Sequence, residues 1–129
     1  MSAPVTDAAV FRNDLQRVID DFLNTQTERL APLGDDASEL LAAARQALAG
    51  GKRLRAWFCW AGHRSVAEIE PGQRTAVLRA CAALEFLQAS ALVHDDLMDA
   101  SDTRRGRPAT HRAFEYSHRE RNWAGDPEQ

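Results

Sequence analysis

Apolar residues recur at intervals of three and four along most of the chain, which predicts helices rather than strands. Val10, Phe11, Leu15, Val18, Ile19, Phe22, Leu23 and Leu30 trace an amphipathic helix of about six turns. Asp7 is its expected cap and Pro32-Leu33-Gly34 its stop, while Met1 to Thr6 read as a frayed polar leader. Asp35, Asp36 and Ser38 offer a second N-terminus, with Glu39 in the first turn. Leu40, Leu41, Ala44, Ala47 and Leu48 then form a second helix, stopped by Gly50-Gly51. A third begins at or just after Lys52, carries Leu54, Trp57, Phe58, Trp60, Ala61 and Val66, and runs out near Glu70-Pro71-Gly72. Its aromatic residues Trp57, Phe58 and Trp60 are expected in the core. His63 is expected to be structural or exposed.

The fourth segment, from about Gln73 to Ala100, is the most apolar, and no Gly or Pro interrupts it before Ala100. Val77, Leu78, Ala80, Cys81, Leu84, Leu87, Ala91 and Leu92 cover well over half its circumference, so this helix should lie buried inside a bundle. Three preceding helices cannot surround it. Beyond Gly106, Arg107 to His111 reads as a loop, Ala113 to His118 as a short helix and Arg119 to Gln129 as an exposed connection. Neither an internal repeat nor a strand pattern is visible. The expected fold class is all-α, with about four main helices. Residues 1–129 read as a single partial domain, the N-terminal part of a larger fold or one chain of a split one, with 107–129 as exposed loop and short helix.

Composition narrows the function. The chain has 129 residues, 44% hydrophobic and 27% charged, as in ordinary soluble globular proteins. A net charge of −3 gives no general attraction to nucleic acid or to an anionic membrane. No apolar run reaches the roughly 18 residues of a membrane span, and no secretory leader pattern is present, so a cytoplasmic location is expected. Cys59 and Cys81, both in apolar helical contexts, read as reduced, buried thiols. Of the 16 basic residues only Lys52 is a lysine.

The stretch His94-Asp95-Asp96-Leu97-Met98-Asp99-Ala100-Ser101-Asp102-Thr103-Arg104-Arg105-Gly106 carries the densest chemistry. Its carboxylates begin at the C-terminal end of the fourth helix, where the backbone dipole is already negative. Leu84, Gln88, Ala91, Asp95 and Asp99 step by four, three, four and four, so Asp95 and Asp99 can converge on one set of ions. Hard carboxylate oxygens on an open face suit Mg²⁺ that keeps some of its waters, and the spacing does not fit a calcium-binding EF-hand loop. A solvated acidic helix end is the plainer alternative. Arg104 and Arg105, with Arg107, His111 and Arg112 behind them, tilt the balance, because acids for a metal beside fixed cations match a diphosphate. Salt bridges from Asp102 to Arg104 or Arg105 remain an alternative reading.

A second cationic cluster is Gly50-Gly51-Lys52-Arg53-Leu54-Arg55. Two glycines permit close backbone approach, and the bases open a helix whose free N–H groups favour anions. Lys52 and Arg55, three apart, are expected on one face and Arg53 on another. An ordinary glycine helix stop is the alternative. Together the clusters point to two diphosphate sites, one working through Mg²⁺ and one through bare cations.

These residues resemble the trans-isoprenyl diphosphate synthases, or polyprenyl synthetases. Gly50-Gly51-Lys52-Arg53-Leu54-Arg55 is similar to that family's GGKxxR motif, and Asp95-Asp96-Leu97-Met98-Asp99 with Arg104-Arg105-Gly106 to its first DDxxD and trailing RRG. The likeness runs from about Leu40 to Phe114. It implies an isoprenoid-synthase-type helical bundle and Mg²⁺-dependent head-to-tail condensation of isopentenyl diphosphate with an allylic diphosphate. It further implies that Asp95 and Asp99, supported by Asp96, hold Mg²⁺, and that Arg104 contacts the allylic diphosphate. By the same resemblance, Lys52, Arg55 and Arg105 hold isopentenyl diphosphate, and Gln88 stands where the family has a His or Gln on that substrate.

Similar enzymes that make short products often carry an aromatic residue four or five positions before this motif, so the resemblance implies that the small Ser90 and Ala91 leave a pocket open to geranylgeranyl or longer products. The family's second aspartate-rich motif is not in this sequence. The chain alone is therefore expected to be inactive and to need a C-terminal half or a second chain. Apolar helical faces point to a homodimer. A class I terpene cyclase, a non-catalytic regulatory subunit and a charged helical scaffold are the rival readings. The first would not need Lys52 and Arg55, the second tends to lose metal ligands, and the third leaves acids at a helix C-terminus unexplained.

Overall fold

The structure, a computed structural model, describes residues 4–127. Five helices account for most of them: α1 (Pro4–Leu30), α2 (Asp35–Leu48), α3 (Leu54–Val66), α4 (Arg74–Met98) and α5 (Thr110–Glu120). A single 3₁₀ turn, Ala31–Leu33, joins α1 to α2. The chain forms two compact units, Met1–Gln88 and Ala89–Gln129.

In the first unit the pattern of the sequence becomes a core. Phe11, Leu15, Ile19 and Leu23 step by four along α1 and are buried, as are Ala37, Leu41 and Leu48 of α2, Ala56 and Trp60 of α3, and Leu78, Cys81 and Ala82 of α4. The Phe11 ring meets Trp57 edge-on at 5.2 Å between centroids and Trp60 at 5.3 Å. Arg74 closes this cluster, with its guanidinium 5.0 Å from the Trp60 ring centroid and a 2.5 Å bond to Asp14.

The ends of the helices differ in places from the expectation. Met1 to Ala3 of the expected leader lie outside the described residues, but Pro4 to Thr6 form the first turn of α1. Asp7 therefore sits inside the helix, where its carboxylate accepts a 2.5 Å hydrogen bond from Arg64 instead of capping. Asp35 and Asp36 occupy the first turn of α2 and Gly34 takes the cap position, without a side-chain bond. Gly50 and Gly51 do stop α2, at φ 72° and 87°. The third helix ends at Val66, which is 84% exposed, short of the expected Glu70. Phe58, expected in the core, is 70% exposed, whereas Trp60 is buried.

Helix α4 is left partly uncovered, as expected of an apolar helix that three preceding helices cannot surround. Of its residues only Leu78, Cys81, Ala82 and Asp96 are buried in this chain, and Leu87 is 67% exposed. The apolar circumference is real, but too few elements are present to cover it. An 18-residue window of α4 is also long and apolar enough by composition to cross a membrane, contrary to the expectation that no run reaches that length. Glu85, within the same helix, is ion-paired to Arg53 at 3.0 Å, as befits a helix packed in protein. Cys59 and Cys81 are both free thiols. Burial, and then the hydrogen bond with Cys59, push the Cys81 thiol up to about 12.

The second unit contains the last turns of α4, a minute hairpin and α5. Strands β1 (Thr103–Arg104) and β2 (Arg107–Pro108) pair antiparallel, with Thr103 opposite Pro108 and Arg104 opposite Arg107. No strand pattern was expected here, since two residues per strand are too few to show alternation. Helix α5 is longer than the expected Ala113 to His118 and begins three residues earlier. Residues 121–127 form mostly exposed turns, and Glu128 and Gln129 lie outside the described residues.

Candidate functional site

The first cluster is built around Arg53. It stands just before α3 in the left-handed region, φ 55°, and its side chain turns inward. Its guanidinium donates to Glu85 Oε2 at 3.0 Å, to the Leu48 carbonyl at 2.6 Å and to Gln16 Oε1 at 3.0 Å. Both Arg53 and Glu85 are about nine-tenths buried at the side chain. The other Glu85 oxygen accepts from the Ala56 N–H at 3.4 Å, so an acid on α4 serves the otherwise uncapped first turn of α3. Pinned this way, the segment presents its remaining bases outward: Lys52 and Arg55 are both exposed. Arg53 does point elsewhere, as expected. The helical argument for a common face of Lys52 and Arg55 does not hold, because Lys52 precedes the helix.

The second cluster is built on the end of α4. Asp99 N–H still donates to the Asp95 carbonyl at 2.9 Å, so these two aspartates lie one helical turn apart, and both are exposed. Gln88, two turns earlier on α4, is half-buried. Beyond Asp99 the chain closes with two characteristic bonds. Ser101 N–H reaches back to the Asp96 carbonyl at 2.9 Å, and Ala100 N–H to Leu97 at 3.3 Å. Ala100 is left-handed at φ 50°, and the whole is a Schellman ending with alanine where glycine is usual. Arg105 and Gly106, at φ 52° and 76°, then make the two-residue corner of the hairpin, as type I′ turns require. That corner leaves the Arg105 side chain exposed and brings Arg104 back to the helix end.

Arg104 meets Asp96 there. Its Nε and Nη2 donate to the two carboxylate oxygens at 2.5 and 2.6 Å, a two-pronged ion pair. Asp96 is only 4% exposed. The hydrogen bonds from Arg104 hold the Asp96 carboxyl below the usual carboxylate range despite burial, and the same bonds push Arg104 upward. Asp102 is the acid for which salt bridges to Arg104 or Arg105 were the alternative reading. It accepts from Arg112 at 2.9 Å, and Arg112 also holds Glu115 at 2.8 Å.

The three aspartates of the DDxxD stretch are thus divided. Asp95 and Asp99 share an outward face, whereas Asp96 faces inward onto Arg104. Among the described residues no group of three or more His, Cys, Asp or Glu is arranged to hold a metal ion. Two exposed carboxylates one turn apart still fit Mg²⁺, which takes few protein ligands and completes its shell with water and phosphate oxygens. Asp96, expected among the metal ligands, already has both oxygens engaged. Glu85 and the Asp96–Arg104 pair escaped the sequence reading. A lone acid within an apolar helix was the available signal for the first.

Known proteins agree with these features. The family described as polyprenyl synthetase matches residues 37–119. Geranylfarnesyl diphosphate synthase of Natronomonas pharaonis is 40% identical over 52% of this chain and 23% of its own length. Putative geranylgeranyl pyrophosphate synthase 8, chloroplastic, of Arabidopsis thaliana is 38% identical over 66% of this chain and 23% of its own. In structure the chain resembles geranylgeranyl pyrophosphate synthase from Corynebacterium glutamicum, crystallised with isoprenyl diphosphate and magnesium. The TM-score is 0.72 at 40% identity, over 94% of this chain and 34% of that one. The chain spans about a quarter of the length of the curated relatives it matches.

Proposed function

The chain belongs to the polyprenyl synthetase family, and we propose that it supplies the diphosphate-handling residues of an isoprenyl diphosphate synthase. The reaction is a head-to-tail condensation of isopentenyl diphosphate with an allylic diphosphate. The observation that carries this reading is the outward pair Asp95 and Asp99 beside an arginine fixed by the RRG hairpin, in a chain that matches the family over 37–119.

In this reading Asp95 and Asp99 hold Mg²⁺, with Arg104 on the allylic diphosphate. Lys52, Arg55, Arg105 and Gln88 hold isopentenyl diphosphate. When bound, Mg²⁺ supplies positive charge against the oxygens of the departing diphosphate. Arg104 shares that task as a fixed donor of positive charge, stabilising the leaving group as the allylic C–O bond breaks. The double bond of isopentenyl diphosphate attacks the allylic carbon, a C–C bond forms, and a proton leaves to restore the double bond. Lys52 and Arg55, free of the internal network that consumes Arg53, anchor the nucleophile's diphosphate and do not enter the bond changes. A terpene cyclase would not need that exposed basic pair.

The names of the relatives support a product of twenty carbons or more, and the small residues Ser90 and Ala91 support it from this chain's side. We further propose that the 129 residues alone do not turn over. Much of α4's apolar surface is uncovered, and two exposed carboxylates leave any metal cluster thin. A second copy of the protein and the cytoplasm are the proposed partner and location.

The test is to supply MgCl₂, isopentenyl diphosphate and a series of allylic diphosphates to the chain alone, and to the chain completed by the remaining helices of the fold. Product is expected only from the completed fold. Turnover by the chain alone refutes the claim of incompleteness, and no product from either refutes the synthase reading.

A further inference from the structure

We infer that Cys59 and Cys81 form a reversible disulfide that tethers α3 to α4, with Cys59 meeting the oxidant and Cys81 closing the bond. This pairing is independent of the reaction the chain serves. The two helices run antiparallel, and contacts on either side bracket the cysteines. At one end Glu85 of α4 accepts from the Ala56 N–H at 3.4 Å and from Arg53 at 3.0 Å. At the other the Arg74 guanidinium lies 5.0 Å from the Trp60 ring centroid. Cys59 falls between Ala56 and Trp60, and Cys81 between Arg74 and Glu85, so the same packing sets the two thiols against each other. They share a hydrogen bond. Their neighbours Ala56 and Ala82 are small and buried, which lets the backbones approach as a disulfide requires. The two thiols differ in access. Cys81 has no exposed surface, whereas Cys59 is partly open to solvent. Burial also pushes Cys81 up to about 12, which makes it the poorer nucleophile toward a reagent in solution.

The oxidant is a small disulfide of the glutathione class. Cys59 gives up its proton and its sulfur attacks one sulfur of that disulfide, whose S–S bond breaks as one thiolate leaves. Cys81 then loses its proton, its sulfur attacks the Cys59 sulfur, and the second thiolate leaves. Two protein thiols are oxidised to one disulfide, and one small disulfide is reduced to two thiols. The raised Cys81 makes the second step the slow one. The bond lies one helical turn from Glu85, so closing it stabilises the helix pair that buries the Arg53–Glu85 ion pair.

Intact-mass spectrometry of the full chain during incubation with oxidised glutathione tests this. An adduct of one glutathione, mapped to Cys59, should appear first. It should give way to a chain without adduct, lighter by two hydrogen atoms, with Cys59 and Cys81 in one cross-linked peptide that dithiothreitol separates. In Cys81→Ala the Cys59 adduct should persist, and Cys59→Ala should take up glutathione at least about tenfold more slowly than wild type. Two cysteines on one chain can also meet when it is unfolded, so the effective concentration of the pair is measured in a glutathione redox buffer with and without urea. It should be at least about tenfold higher in the folded chain. The closed form should melt about 5 °C or more above the reduced one. Dimers linked through Cys59, an adduct that never resolves, equal effective concentrations with and without urea, or an unchanged or lowered melting temperature would each overturn the inference. Should either variant fail to fold, the wild-type time course and the urea comparison still decide it.

Discussion

Arg53 and Asp96 show why a motif is not a list of equivalent ligands. Each lies among residues that face outward, and each turns inward to hold its neighbours in place. Arg53 is buried against Glu85 and also ties down the Leu48 carbonyl, so Arg53→Ala should cost about 3 kcal/mol by leaving Glu85 buried without its cation. Urea unfolding measures this, and a loss under about 1 kcal/mol would mean that the pair is solvated. Asp96 makes a statement about pH. Its folded value lies below the ordinary 3.8, so its contribution to stability is complete above that value and disappears as pH falls through the lower folded value. The stability gap between wild type and Asp96→Asn should therefore be widest near neutrality and shrink below about pH 4, as acid titrations with thermal melts would reveal. The residue types were legible in the sequence. Which of them face inward was not, because that depends on Glu85 of another helix and on a hairpin that folds back over eight residues.

At the scale of elements, helix α4 and the hairpin after it were readable to different degrees. The helix announced itself through an uninterrupted apolar period, and its end was placed within two residues. The two-residue strands carried no period to read, and the corner rests on backbone conformations at Arg105 and Gly106. Gly106→Ala should destabilise the corner by roughly 1 kcal/mol, through conformation alone, since no atom lies within 4 Å of an added Cβ. Ala100→Gly should act oppositely, raising stability by about 0.5–1 kcal/mol because glycine accepts the left-handed ending of α4 without strain. Chemical denaturation of both variants decides the matter, and the same sign for the two would refute the account of either turn.

For the whole molecule, the helical class and both charged clusters were legible because they depend on local period and on residue type. The apolar circumference of α4 marked a helix made for enclosure in a larger bundle, and its exposed residues here match the expectation that three preceding helices cannot surround it. Apolar character shows that a helix needs covering, and this chain provides too few elements to do it, as Leu87 illustrates. The small residues Ser90 and Ala91 matter at this scale as well. In the completed fold, Ser90→Phe or Ala91→Phe should shorten the main product by at least one five-carbon unit, and mass spectrometry of the products would show an unchanged length if the proposed pocket floor lies elsewhere. The most direct test of the central claim is an initial-rate comparison of Asp95→Ala and Lys52→Ala in the completed fold, with MgCl₂ and both diphosphates varied. The account predicts that Asp95→Ala lowers turnover by about 10²-fold or more, and that Lys52→Ala raises KM for isopentenyl diphosphate about tenfold while that for the allylic substrate stays within about twofold. Full turnover in Asp95→Ala, or equal KM changes for both substrates in Lys52→Ala, would contradict it.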